Sequence, residues 1–257
     1  MYLYPTDETR IFAHRGLAIA ADGTPLDENT LPAFARALEV GADYIESDIQ
    51  VSLDGVPVLF HDDTLARVSN VDSPVNRLTI EQIKAVKLNH GGTIPTLAEA
   101  LEAFPQARFN LDFKSVSSIT AGCRVITEHG AQARVLAASF SDARGEAAAA
   151  KLPGVATSAG IGRTLRAVIA HRIGAGILLG MAVARVNALQ IPIAQGRLKL
   201  DSPRFIRNVQ KHGAEVHYWT VNEPAEMLRL VAAGAKGIVT DRADLAVATL
   251  RTSAVSK

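Results

Sequence analysis

The chain has 257 residues, 48% of them apolar, with 27 basic and 26 acidic side chains and a formal net charge of +1. That length and apolar share can bury one large core, and alternating α/β barrels of this size are common. No long like-charge run suggests a duplex nucleic-acid partner, the single Cys123 excludes an intrachain disulfide, and the opening MYLYPTDETR lacks the pattern of a signal peptide, so a soluble cytoplasmic protein is expected.

In chain order, the apolar run Ile11–His14 reads as a strand. A helix follows, with Leu31, Phe34, Ala35 and Leu38 at i, i+3, i+4, i+7, Asn29 or Thr30 as its cap, Pro32 in its first turn and Gly41 at its end. Tyr44–Ile49 is the second strand. Asp54-Gly55 then marks a tight turn, so the run ending Phe60-His61-Asp62 is expected to fold back as a hairpin and carry His61 over the barrel mouth. Residues from about 53 to 95 read as an insertion capping that mouth. Capping boxes are expected at Thr79/Gln82 and Thr96/Glu99.

Further strands are expected at Phe109–Lys114, Val135–Phe140, Val155–Ser158, Leu189–Ile193, Glu215–Val221 and Gly237–Asp241, although Gly174 to Arg197 has no clean periodicity. Within that stretch the apolar run Ala175–Ala184 is far short of the roughly 20 residues that span a bilayer. Leu228, Val231 and Ala232 mark a late helix closed by Gly234. Eight strands alternating with helices predict an α/β fold, a (β/α)8 TIM barrel, as one domain over 1–257 with the hairpin insertion after its second strand.

Barrel chemistry gathers where the strands end. His14-Arg15-Gly16 ends the first strand. Side chains two apart share a strand face, so Glu46 and Asp48 point together with Ser47 away, and Asp112 pairs with Lys114 in the same way. Carboxylates crowded into one cavity raise one another's pKa. A hard divalent cation removes that repulsion, with Mg²⁺ or Ca²⁺ the natural choices and Mn²⁺ a further candidate. Arg15 at the mouth matches phosphate geometry, and two histidines, His14 and His61, can divide proton uptake and delivery between them. Together these residues are an inventory for breaking a phosphodiester with a divalent metal.

Other residues leave two readings open. Glu28-Asn29-Thr30 is either a helix start or a pair of side chains facing substrate or metal. Trp219 is either core or an aromatic wall for the substrate, and Asp241 suits a cap on the final helix. His90, His129, His171, His212 and His217 read as structural or solvated.

The chain resembles the glycerophosphodiester phosphodiesterases in His14-Arg15-Gly16, Glu28-Asn29-Thr30, Glu46-x-Asp48, the Asp54-Gly55 turn and His61-Asp62. Ile94-Pro95-Thr96-Leu97, Asn110-Leu-Asp112-Phe-Lys114, Ser139-Phe140, Trp219-Thr-Val-Asn222 and Gly237-Ile-Val-Thr-Asp241 extend the match from about residue 11 to 245. The resemblance implies a TIM barrel that hydrolyses a small glycerophosphodiester to glycerol 3-phosphate and an alcohol with one divalent cation. By position, Glu46, Asp48 and Asp112 would bind the metal, His14 and His61 would be general base and acid, and Arg15 and Lys114 would hold phosphate oxygens. Glu28, Asn29 and Trp219 would border the substrate. The implied route has the substrate's own 2-hydroxyl attack phosphorus, giving a cyclic phosphate that water opens.

Two departures from the family pattern stand out. Asp112 occupies a position that usually carries glutamate, and the loop from Leu17 to Asp27 is longer than usual, with Asp27 where proline is typical. Rival readings are a phospholipase D-type activity on lysophospholipids or sphingolipids, and a non-catalytic phosphate-binding barrel. The first calls for an apolar patch at the barrel mouth, and no exposed aromatic cluster is evident in the sequence; the second is opposed by the retention of both histidines.

Overall fold

Arg10–His14 (β1), Tyr44–Val51 (β2), Pro57–Leu59 (β3), Arg108–Phe113 (β4), Val135–Ala138 (β5) and Ala156–Thr157 (β6) are strands in the computed structural model, which describes residues 2–3 and 8–252. Ala188–Ile191 (β7), Ala194–Gln195 (β8), Leu198–Lys199 (β9), Glu215–Tyr218 (β10) and Gly237–Thr240 (β11) complete the set. Parts of the opening stretch read as free of a signal peptide, and both ends of the expected domain, lie outside the described residues.

Eight of the strands form one parallel sheet in the order β6-β5-β4-β2-β1-β11-β10-β7. A parallel bridge between Ser158 and Ala188 draws the two edges together, so the described residues form a nearly closed barrel with helices between its strands. The expected strands are all present, with the strands after β4 ending earlier than their apolar runs. The strand expected at Leu189–Ile193, in the stretch without clean periodicity, is β7, Ala188–Ile191, and β8 and β9 form a separate small hairpin after it.

The helix signals explain the packing. Thr30 caps Leu31–Glu39, whose Ala33, Phe34 and Ala37 are buried, and both predicted capping boxes are formed. The late helix is Pro224–Ala233 with Gly234 in the left-handed conformation at φ 105°, but its buried side chains are Met227 and Leu230, while Leu228 is exposed.

Register aligns the chemistry. His14 lies opposite Glu46, Glu46 opposite Asn110, and Asp48 opposite Asp112. Below that level the barrel is filled. Phe12 stacks on Tyr44 with ring centroids 4.5 Å apart, and Arg10 donates two hydrogen bonds to Glu215 at 2.8 and 2.9 Å. His217, fully buried, contacts the same carboxylate at 2.9 Å.

After β2 the chain turns through Gly55, at φ 83°, and β3 returns antiparallel with Ile49 opposite Leu59. The segment that follows has an apolar cluster of its own, including Val58, Phe60, Leu65, Ile83, Leu88 and Ile94. No helix among the described residues is long and apolar enough to cross a membrane.

Candidate active site

A cavity of about 480 Å³ opens at the C-terminal ends of the strands. His14, Arg15, Glu46, Asp48, His61, Asp112, Lys114 and Trp219 all line it. The histidines, acids and cations far apart in sequence therefore share one cavity.

Gly16 shows why the first motif ends as it does. Its φ is 83°, and a Cβ there would lie 2.8 Å from the carbonyl carbon of Ala33, so only glycine lets the chain pass this helix after Arg15. Nδ1 of His14 lies 2.6 Å from Oδ1 of Asp241, whose Oδ2 accepts from Asn222 at 2.7 Å. A carboxylate can only accept, so Nδ1 carries the proton and Nε2, 3.9 Å from Glu46 Oε2, is left to the cavity. Burial disfavours charge on His14, but the hydrogen bond to Asp241 and the charge of Glu46 outweigh it and lift its pKa.

His61 is held in a parallel manner: its Nδ1 lies 2.6 Å from Oδ1 of Asp62. Asp62 in turn accepts from Arg67, which also donates to Glu28, and Glu28 accepts from Arg15 at 2.9 Å. Burial works against the charge on Asp62, but Arg67 and His61 hold its carboxyl below the usual range. Glu28 thus joins the two motifs electrostatically, and neither it nor Asn29 is among the cavity-lining residues. Asn29 is buried with φ 55°, and its Oδ1 accepts from Ser47 Oγ at 2.6 Å, on the strand face opposite Glu46 and Asp48.

The carboxylates are closely packed. Lys114 Nζ lies 2.7 Å from Asp48 Oδ1 and 2.8 Å from Asp112 Oδ2. Burial opposes the ammonium charge, yet the two aspartates raise its pKa. Burial raises the Asp112 carboxyl, against the pull of Lys114. Glu46 is pushed up to about 7, first by burial and then by the charge of Asp48. Asp48 Oδ2 and Asp112 Oδ1 are buried and accept no hydrogen bond. Among the described residues no three His, Cys, Asp or Glu side chains converge tightly enough to cage an ion.

The rest of the lining is largely apolar. Trp219 meets Phe140 edge-on at 5.9 Å, and Ile161, Leu165 and Ile191 continue the surface. Three features are not marked in the sequence as parts of the site: Asp241 as the partner of His14, Arg67 as the clamp on Asp62 and Glu28, and the aliphatic wall. Asp62 and Asp241 directly follow His61 and Thr240 in the chain, so their acidity beside strand ends is a signal; Arg67 lies in the 53–95 segment with none.

The sequence pattern of the Glycerophosphoryl diester phosphodiesterase family matches residues 14–245. A relative from Mycobacterium tuberculosis, "Probable glycerophosphodiester phosphodiesterase 2", is 36% identical over 91% of this chain and 87% of its own length. A solved glycerophosphodiester phosphodiesterase from Agrobacterium tumefaciens superposes with TM-score 0.76 at 26% identity, over 95% of this chain and 99% of that one. A phosphodiesterase from Oleispira antarctica, solved in complex with the product sn-glycerol-3-phosphate, has TM-score 0.75 at 24% identity, over 97% and 98% of the two chains, a likeness of fold. With most of its length matched and its strand ends carrying the family's motifs, this chain is an enzyme of the glycerophosphoryl diester phosphodiesterase family.

Proposed function

We propose that the protein hydrolyses small glycerophosphodiesters to glycerol 3-phosphate and an alcohol, with His14 and His61 as the proton-transfer pair. One observation carries this reading: two histidines, each held at Nδ1 by an aspartate, line the same cavity as the Asp48–Lys114–Asp112 cluster. Each Nε2 is then available to take or give a proton. The substrate's 2-hydroxyl attacks phosphorus as one histidine removes its proton, and the alcohol departs with a proton from the other. Water, activated by the reverse exchange, opens the cyclic phosphate. Arg15 and Lys114 supply positive charge to the phosphoryl oxygens as negative charge builds there. No side chain of the enzyme need act as nucleophile.

The donor chemistry suits one divalent cation. The carboxylates would draw together to hold it, since as they stand Lys114 lies between Asp48 and Asp112 and no three ligating side chains among the described residues converge on one point. Asp48 Oδ2 and Asp112 Oδ1, buried and accepting no hydrogen bond, stand with a Glu46 pushed up by burial and by Asp48, and offer oxygen donors to a cation. Glu46, Asp48 and Asp112 would hold Mg²⁺, Ca²⁺ or Mn²⁺, which when bound neutralises the carboxylates and polarises a phosphoryl oxygen. Asp112 is one methylene shorter than the family's usual glutamate, and it reaches Lys114 instead.

A second reading, phospholipase D-type cleavage of lysophospholipids or sphingolipids, is favoured by the wall of Phe140, Ile161, Leu165 and Trp219. The deciding experiment measures glycerol 3-phosphate and free choline released from glycerophosphocholine, lysophosphatidylcholine and sphingomyelin with Mg²⁺, Ca²⁺, Mn²⁺ or EDTA. Glycerol 3-phosphate reports the proposed reaction, and choline without it reports phospholipase D-type cleavage. Metal-dependent release that is lost in His14→Ala and His61→Ala is expected. Near-wild-type rates in both variants would end this mechanism, and turnover of lysolipids alone would select the second reading.

A further inference from the structure

Outside the reacting centre, the least explained part of the molecule is the helical pair Ile161–Arg172 and Gly176–Val183. Ile161, Leu165, Ile169 and Ile173 recur every fourth residue and are exposed, while Ala167, Val168 and Ala170 face the core. The second helix has no polar side chain at all: Leu179, Ala182 and Val183 are buried, and Ile177 and Met181 are 83% and 66% exposed. An apolar surface of this extent on an otherwise soluble-looking chain marks an interaction face. Its inner end is continuous with the cavity, because Ile161 and Leu165 line both.

Charge identifies the occupant. Between Glu146 and Asp201 the sequence has no Asp or Glu, but it has five arginines and two lysines. A cleft of about 500 Å³ beside the far end of the stripe is lined by His171, Arg172, Lys199, Ser202, Arg204 and Phe205, with no carboxylate. Burial and the adjacent Arg204 and Arg172 hold His171 below the ordinary histidine pKa, as a positive environment requires. Arg163 and Arg166 are already paired, with Glu146 and Asp142, which leaves the cleft as the local concentration of positive charge. A second copy of the chain would set this charge against itself across a two-fold interface. A surface that offers hydrocarbon to the stripe and phosphate to the cleft satisfies both.

We propose that this face docks the enzyme on an anionic lipid surface, with Ile173, Ile177 and Met181 entering the headgroup boundary and Arg172, Lys199 and Arg204 engaging phosphate headgroups. An exposed apolar stripe bordered by basic side chains can seat in the interfacial plane without spanning the bilayer. The cavity then opens beside the lipid boundary, and its apolar wall is the inward continuation of the docking face. The proposal concerns where the enzyme works, and it stands whether or not the proposed reaction does.

The test is flotation of the purified protein with phosphatidylcholine vesicles that contain or lack phosphatidylglycerol, at low salt. Binding only to the anionic vesicles is expected, falling with added salt. Arg172→Glu and Arg204→Glu should each weaken it by roughly fivefold or more. Ile177→Asp with Met181→Asp should abolish it while leaving hydrolysis of soluble glycerophosphocholine unchanged, which also reports that the variant is folded. Three outcomes overturn the proposal: no flotation of the wild type, equal binding to neutral vesicles, or sedimentation showing a dimer that the Ile177/Met181 variant dissociates.

Discussion

His14 and Asp241 are 227 positions apart in the chain, and their side chains meet at 2.6 Å. The pairing of β1 with β11 joins the first and last strands of the barrel and sets His14 and Asp241 side by side. Replacing Asp241 by asparagine keeps the shape and removes the charge that lifts the His14 pKa. His14 should then titrate at lower pH, the pH–rate limb it sets should move the same way, and kcat should fall roughly 100-fold. A histidine NMR titration beside the pH–rate profile checks both, and an unmoved His14 resonance would remove Asp241 from the mechanism.

Glu46 carries a burden in the metal-free protein. Its pKa of about 7 lies well above that of an unfolded glutamate, about 4.3. The folded state is therefore penalised where both forms are ionised, above about pH 7, and the penalty vanishes below about pH 4. Glu46→Gln should raise Tm in EDTA at pH 8 by about 2–4 °C per kcal/mol relieved and leave it unchanged in acid. A stabilisation that grew as the pH fell would contradict this origin.

If the proposed cation site is right, Lys114 and the cation would contend for Asp48 and Asp112. Lys114→Gln should tighten Mg²⁺ or Ca²⁺ binding in isothermal titration while lowering kcat, because it frees the carboxylates and removes a phosphate contact. Weaker metal binding in this variant would make Lys114 an organiser of the carboxylates and not their competitor.

At the other end of the barrel, Glu215 predicts acid sensitivity. Burial works against its charge, but Arg10 and His217 bring its pKa down to about 2. Its stabilisation is complete above the unfolded value near pH 4.3 and is lost as pH falls toward 2. Glu215→Gln should flatten that acid limb in thermal melts and cost about 3 kcal/mol at neutral pH, since Arg10 loses its carboxylate partner.

Strand periodicity is a local signal, and it carried the barrel, the Glu46/Asp48 pair and the Asp112/Lys114 pair. Asp241 reads equally as a helix cap, because only the pairing of the first strand with the last, a relation between the chain's two ends, brings it to His14. Arg67 escapes notice because Glu28 and Asp62 meet it through loop geometry that has no period. Glu28 and Asn29 share a motif, yet a φ of 55° at Asn29 sends its amide to Ser47. The apolar face on 161–183 was hidden in the stretch without clean periodicity; a search for exposed aromatics passes over an aliphatic surface, whereas the absence of acids in that stretch was legible throughout.

Arg10, Phe12, Tyr44 and His217 seal the lower barrel with fully packed side chains. The reaction chamber is therefore a blind alley with one doorway. A molecule in the chamber can leave only by the mouth at the strand ends, so a product still held there would stand in the path of the next substrate.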